Sequence, residues 1–135
     1  MLLSASADGT VKLWKEFDFN LIEESVQKNT NDSLLGSFTY RPLSQQTIEI
    51  PTSTSWIHTS SNSLLISYLC RTIGIFDRIT GKNKGVMKID HNPILSNAQQ
   101  QINQVISHKT KPLAIAAMEN KLVRLFDINS GKVLH

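Results

Sequence analysis

Apolar and polar positions alternate in a pattern that recurs three times along the chain. From Leu2 to Ala7 the residues are apolar or small, Asp8-Gly9 interrupts them, and Thr10, Val11, Lys12, Leu13 and Trp14 then alternate. Alternation with a period of two marks a half-buried strand, and Asp-Gly accepts the positive φ angles of a type I′ turn. Residues 2–7 and 10–15 are therefore predicted as two antiparallel strands joined by a two-residue turn. Leu3–Trp14 reads LSASADGTVKLW, Leu65–Phe76 reads LISYLCRTIGIF and Ile115–Phe126 reads IAAMENKLVRLF. Each copy starts apolar or small, has a polar or turn-forming centre, and ends apolar–polar–apolar–aromatic. Val11, Ile73 and Val123 correspond, as do Leu13, Ile75 and Leu125. The closing aromatics are 62 and then 50 residues apart, which marks an internal repeat with long insertions.

Further strands are predicted at 34–40, 53–58, 63–69, 72–77, 84–89, 102–107, 113–117, 121–127 and 132–135. Residues 16–33 are polar, with Leu21, Ile22 and Val26 enough for one short helical turn. They read as a surface insertion, since they offer too little apolar surface to pack alone. Arg41-Pro42 and Pro51 are expected to break strand pairing. Thr80-Gly81-Lys82 and Ser130-Gly131 read as turns. The connection 90–101 carries Asn92-Pro93 and a run of three glutamines, too short for a low-complexity segment. Many short strands with Gly, Pro and Asn punctuation predict an all-β chain.

The repeat resembles the WD repeat, the four-stranded blade of a β-propeller. Phe76-Asp77 and Phe126-Asp127 stand where many WD repeats have Trp-Asp. The expected fold is a partial WD-repeat β-propeller of four-stranded antiparallel blades, in one domain over 1–135. Blade one is placed at 1–40 with the insertion 16–33, blade two at 53–89 and blade three at 102–135. Blade one lacks an inner strand and blade three stops inside its outer strand. Propellers close with about 4–8 blades, so the expectation is a fold incomplete at both ends, an excerpt of a longer propeller or an incomplete gene model.

Composition narrows the chemistry. The 135 residues are 40% hydrophobic, a globular value, and carry a formal charge of +3. That charge is scattered and argues little for nucleic acid. Its densest cluster, Lys82, Lys84 and Lys88, reads as a solvated strand edge rather than a phosphate patch. Cys70 is the one cysteine, which excludes an internal disulfide and a multi-cysteine zinc site, and it reads as a small core residue. No run approaches the ~18 apolar residues of a membrane span, and no signal-peptide pattern opens the chain, so a cytoplasmic location is the expectation. Neither a Gly-rich phosphate loop, a nucleophile elbow nor a His-Glu-x-x-His pair occurs. His58, His91, His108 and His135 lie far apart in sequence. No catalytic residue, metal or cofactor is assigned, and the chain is read as not an enzyme.

Three segments resemble one family, the striatins. They are Leu2–Trp14, Glu49-Ile50-Pro51-Thr52-Ser53, and Ile102–Lys132, which has an Ile-Asn-x-Val-Ile-Ser-His opening, a Pro before its second strand and a Phe-Asp-x-x-x-Gly-Lys close. Cys70-Arg71 stands where a repeat often has an acidic turn, Met118 stands where histidine is expected, and 16–33 is foreign to the family. The resemblance implies a non-catalytic scaffold in an assembly built around protein phosphatase 2A, with a Mob-like protein, a striatin-interacting protein and germinal-centre kinases. The striatin segments that bind caveolin and calmodulin and form a coiled coil would lie upstream and are absent from these residues. Two competing readings are a WD-repeat module of another class, such as one in an RNA-associated complex, and a gene fragment without independent function.

The WD resemblance also implies site residues. Asp8, a strand hydroxyl (Ser4 or Ser6, with Ser6 assigned) and Trp14 match three members of a hydrogen-bonded structural tetrad. That set is expected to stabilise rather than catalyse. Arg41, Arg71 and His91 fall on connections at one rim and are the candidate partner-facing residues, because rigid blades hold such loops in place.

Overall fold

The computed structural model describes residues 1–15, 34–42 and 47–135. The predicted insertion at 16–33, with its helical turn, lies outside the described residues. Among the described residues eleven strands form three antiparallel sheets. Blade one holds β1 (Leu2–Ala5), β2 (Val11–Trp14) and β3 (Leu34–Phe38). Blade two holds β4 (Pro51–Trp56), β5 (Ser63–Tyr68), β6 (Thr72–Asp77) and β7 (Asn83–Lys88). Blade three holds β8 (Ile102–Ser107), β9 (Leu113–Met118), β10 (Val123–Asp127) and β11 (Lys132–Val133). This is the all-β, partial-propeller arrangement that the repeat predicts. A short 3-10 turn at Ala98–Gln100 is the one helical element among the described residues.

Directly opposed residues of antiparallel strands share a face. Leu3 opposes Leu13 and Ala5 opposes Val11, so these point one way, whereas Leu2 opposes Trp14 and points the other. In blade two Leu65 opposes Ile75 and Leu64 opposes Phe76. The two faces of blade two thus look toward blade one and toward blade three. Val11, Leu13 and Phe38 pack on Leu64, Ile66, Tyr68 and Phe76, filling the space between blades one and two. Leu65, Ile73 and Met87 pack on Ala114, Ala116, Val105 and Phe126 between blades two and three. Blade two, covered on both sides, buries every residue of β5. Burial of each large apolar side chain there contributes about 1.5–3 kcal/mol.

Three local expectations need correction. The Asp8-Gly9 turn is wider than two residues. The last strand pair is Ala5 with Val11, Gly9 N–H donates to Ser6 O at 3.2 Å, and only Gly9 has positive φ, at 93°. Asp8 causes this, because its carboxylate accepts Thr10 N–H at 2.9 Å and the Thr10 hydroxyl at 2.6 Å. A Cβ on Gly9 would also lie 2.7 Å from Ile48 Cγ2, so glycine is needed for both space and φ. Pro51 does not break pairing. It opens β4 opposite Tyr68, with a bulge before Ser53, on an edge strand where the missing N–H costs no ladder bond. The third strand of blade three starts at Val123 rather than 121, because Lys121 turns the chain with φ of 66°.

Gly9, Arg71 and Lys121 occupy the same repeat position, and all three have positive φ. For a residue with a Cβ that region costs about 1–2 kcal/mol. Lys121→Gly is therefore expected to raise stability by about 0.5–1 kcal/mol, read as a higher urea midpoint at unchanged slope. An unchanged or lower midpoint would show that the lysine side chain offsets the strain.

Candidate functional site

The connections between the second and third strands of each blade, and from the fourth strand to the next blade, run along one rim. Their backbones are held by side chains from below. Arg71 is half-buried in the turn between β5 and β6, and its guanidinium Nη1 donates to Ile89 O at 3.0 Å. Ile89 N–H in turn donates to Arg71 O at 3.0 Å, tying this turn to the end of β7. His91 follows two residues later and is exposed, so Arg71 and His91 share one stretch of the rim. Arg41 is exposed on the connection leaving blade one. Among the described residues no hydrogen bond joins Arg41 or His91 to Arg71.

Beyond His91 the rim is organised by a residue that the sequence reading passed over. Gln100 is buried to 2% exposure. Its amide oxygen accepts Asn92 N–H at 2.7 Å, and its amide nitrogen donates to Asn92 O and Leu95 O, each at 3.0 Å. Ser96 and Gln99 close the same loop reciprocally, with Ser96 N–H to Gln99 Oε1 at 3.0 Å and Gln99 N–H to Ser96 Oγ at 3.3 Å. That is the Ser-x-x-Gln capping spacing, the one sequence signal that marks this loop as ordered. The loop holds Ile94 in solvent at 89% exposure. A cleft of about 410 Å³ separates it from the Arg71 turn, lined by Glu49, Leu69, Cys70, Arg71, Asn97, Ala98 and Gln101. Burial, first of all, pushes the Cys70 thiol pKa up, which disfavours the nucleophilic thiolate and fits the core role.

The tetrad-like residues do not assemble as one network. Trp14 Nε1–H donates to Ser4 Oγ at 2.8 Å, so Ser4 replaces the assigned Ser6. The register explains it: Ser4 lies two residues from Leu2, the residue opposite Trp14, whereas Ser6 lies past the last strand pair, where it accepts Asp8 N–H at 3.3 Å. The Thr10 hydroxyl, then the Thr10 N–H, hold the Asp8 carboxyl below its usual pKa, and Asp8 serves the turn rather than the indole. Asp77 and Asp127, which follow the closing aromatics of blades two and three, also organise turns, accepting Ile79 and Thr80 N–H in one case and Asn129 N–H in the other. His108 Nδ1 accepts Thr110 and Lys111 N–H, each at 3.1 Å, as a structural histidine.

One buried group stands apart. Tyr68 is fully buried beside Tyr40, with ring centroids 5.3 Å apart, and its hydroxyl has no hydrogen-bond partner among the described residues. Burial and the nearby Cys70 drive its pKa upward. An unpaired buried hydroxyl is costly, so Tyr68→Phe is expected to stabilise by about 1 kcal/mol in urea unfolding. A loss of stability of that size would mean that the hydroxyl is bonded after all.

Among the described residues no three His, Cys, Asp or Glu side chains are placed to hold a metal ion, and no helix is long and apolar enough to cross a membrane. The blades and rim loops are thus the features to compare with known proteins. No family model matches the chain. Mouse striatin is 31% identical over 136 residues, covering 99% of this chain, and bovine striatin-3 is 30% identical over 134 residues. The striatin homolog of Dictyostelium discoideum is 34% identical over 137 residues, again covering 99% of the chain. The chain is thus similar to a stretch of the striatins over nearly its whole length, consistent with a striatin-family WD-repeat region. The match runs through all three blades. The chain spans about 15% of the length of those relatives.

Proposed function

We propose that this striatin-family region is a non-catalytic, cytoplasmic scaffold module that presents its rim loops to protein partners. The observation that carries the reading is the match to striatins across 99% of the chain, a span that folds as three antiparallel sheets among the described residues. Within that reading the partners are the protein phosphatase 2A assembly, a Mob-like protein, a striatin-interacting protein and germinal-centre kinases. The mechanism is colocalisation: holding enzyme and substrate on one frame raises their effective concentration without new chemistry. Arg41 and His91, exposed on the rim, are the proposed contacts, while Arg71 positions the turn between them through Ile89. The test is affinity capture of the phosphatase 2A scaffold subunit from cell extract by the tagged chain. Capture is expected, and Arg41→Glu with His91→Glu is expected to reduce it about 10-fold at unchanged thermal stability. No capture, or capture indifferent to both substitutions, would overturn the reading.

A further inference from the structure

We propose that the junction between blades two and three holds a docking pocket for an acidic side chain of a protein partner, one flanked by an aliphatic residue. The pocket, about 380 Å³, opens on the rim opposite Arg71 and His91, between the connection from β4 to β5 and the turn from β10 to β11. Both of its walls come from consecutive blades that pack on each other. The repeat explains why it is open. Gly85 opposes Ile75 in blade two as Gly36 opposes Leu13 in blade one, and Met87 opposes Ile73 as Phe38 opposes Val11. Gly85 is therefore the equivalent of Gly36, and Met87 of Phe38. Between blades one and two the space over the glycine is filled: a Cβ on Gly36 would lie 3.7 Å from Phe38 Cζ and 3.9 Å from Arg78 O. Over Gly85 a Cβ would meet nothing within 4 Å. The methionine does not fold back over residue 85 as the phenylalanine ring does over residue 36, so the second junction is left open where the first is packed.

The chemistry of the opening selects its occupant. Ile57, Ile75, Met87 and Ile128 form an apolar wall, and the hydroxyls of Ser60, Ser63 and Ser130 lie among the other lining groups. Lys84 is the one charged residue of the lining. It is the extra residue of the bulge in β7, a place held in blade one by Leu35. Its ammonium donates to Ser63 Oγ at 2.7 Å, and the Ser60 hydroxyl donates to the same oxygen at 3.1 Å. An ammonium has three N–H donors, so two remain for a ligand among the described residues. The acid opposite Ser63, Asp77, does not line the pocket, and its Oδ1 accepts Ile79 and Thr80 N–H. A cation held at the mouth by a hydroxyl rather than a carboxylate offers a charge-assisted bond to an incoming anion. One lysine matches the single charge of a carboxylate better than the double charge of a phosphate. The apolar wall beside it takes the aliphatic neighbour. This site lies on the other rim from Arg41 and His91 and does not depend on their role.

Amide chemical shifts of the isotope-labelled chain, titrated with acetyl-Leu-Glu-Leu-amide and separately with acetyl-Leu-Gln-Leu-amide, test this. The glutamate peptide is expected to move the amides of Ser60, Ser63, Gly85 and Gly131 together, with a Kd of about 1 mM. The glutamine peptide should bind about 10-fold more weakly, because it lacks the charge. Lys84→Met should bring the glutamate peptide down to the affinity of the glutamine one. Lys84 is exposed and Ser63 keeps its bond from Ser60, so the fold persists. Gly85→Val should abolish binding of both peptides with Lys84 still in place, since the added side chain enters the pocket and strikes no neighbour. Urea midpoints of both variants are expected to be no lower than that of the unsubstituted chain. No shifts up to about 20 mM peptide, or equal affinity for the two peptides, would overturn the proposal. Binding lost in Lys84→Met but kept in Gly85→Val would also overturn it, by showing a bare surface charge instead of a pocket. The peptide pair keeps the test decisive whatever either substitution does to the fold.

Discussion

Phe126→Ala is expected to destabilise the chain by about 3–5 kcal/mol, the largest loss available from a single side chain of blade three. Phe126 is fully buried and meets Leu65, Ile73, Ala114 and Ala116 in the core between blades two and three. Its neighbours across the strand pairs are Ala114 and Val133, and alanine is too small to move into the space left behind. The cost therefore includes the cavity as well as the lost burial. Domains of this kind are stable by about 5–15 kcal/mol in total, so the variant sits near its folding threshold. Trp14→Ala, at the same repeat position, serves as the control. Trp14 is half-buried on the face of blade one turned away from blade two, and its loss removes one indole bond to Ser4 and partial burial. That loss should stay below about 2 kcal/mol. Urea midpoints at unchanged slope measure both. Equal losses at the two positions would show that the core between blades two and three does not hold the array together.

What could be read from the residues, and what could not, divides along the range of the interactions involved. Strand positions and faces follow from an alternation that the backbone enforces, so β6 and β8 fall at the predicted residues and the others within a few. The correspondence of Val11, Ile73 and Val123 is a statement about one pleated surface, and the structure places all three on the same side of their blades. Turns were less legible, because they depend on which side chain captures which backbone group. Asp-Gly permits a two-residue turn, but Asp8 instead binds Thr10 and the turn widens. Alternation puts Ser4 and Ser6 on the same side as Trp14, and only the end of strand pairing at Ala5 leaves Ser4 as the indole's partner. Gln100 was not within reach, because only the folded loop brings Asn92 and Leu95 around its amide. Arg71 could be placed on the rim but not anchored there, since its partner carbonyl is 18 residues away on Ile89.

Gly74→Ala is expected to destabilise by about 1–3 kcal/mol, although the usual effect of that substitution within a strand has the opposite sign. Glycine inside a strand is ordinarily about 0.5–1 kcal/mol worse than alanine, because it loses more backbone freedom on folding. Gly74 lies in the middle of β6, in blade two, without positive φ. Its counterparts in the other blades are Lys12 and Arg124, so the repeat itself does not demand glycine. Phe76 demands it. The ring folds back along the strand, and a Cβ on residue 74 would lie 2.5 Å from its Cε2 and 3.3 Å from its Cζ. That ring has no room to retreat: it is 1% exposed and meets the edge of Phe38 with centroids 5.9 Å apart at 68°. A methyl group at 74 must push Phe76 into Phe38 and disturb the core between blades one and two, and overpacking then outweighs the entropic gain. The decisive measurement is a double-mutant cycle with Phe76→Leu, whose shorter side chain vacates the space over residue 74. In that background Gly74→Ala should cost nothing or stabilise slightly, leaving a coupling of about 1–3 kcal/mol between the two sites. Additive effects would remove the ring as the reason for the glycine.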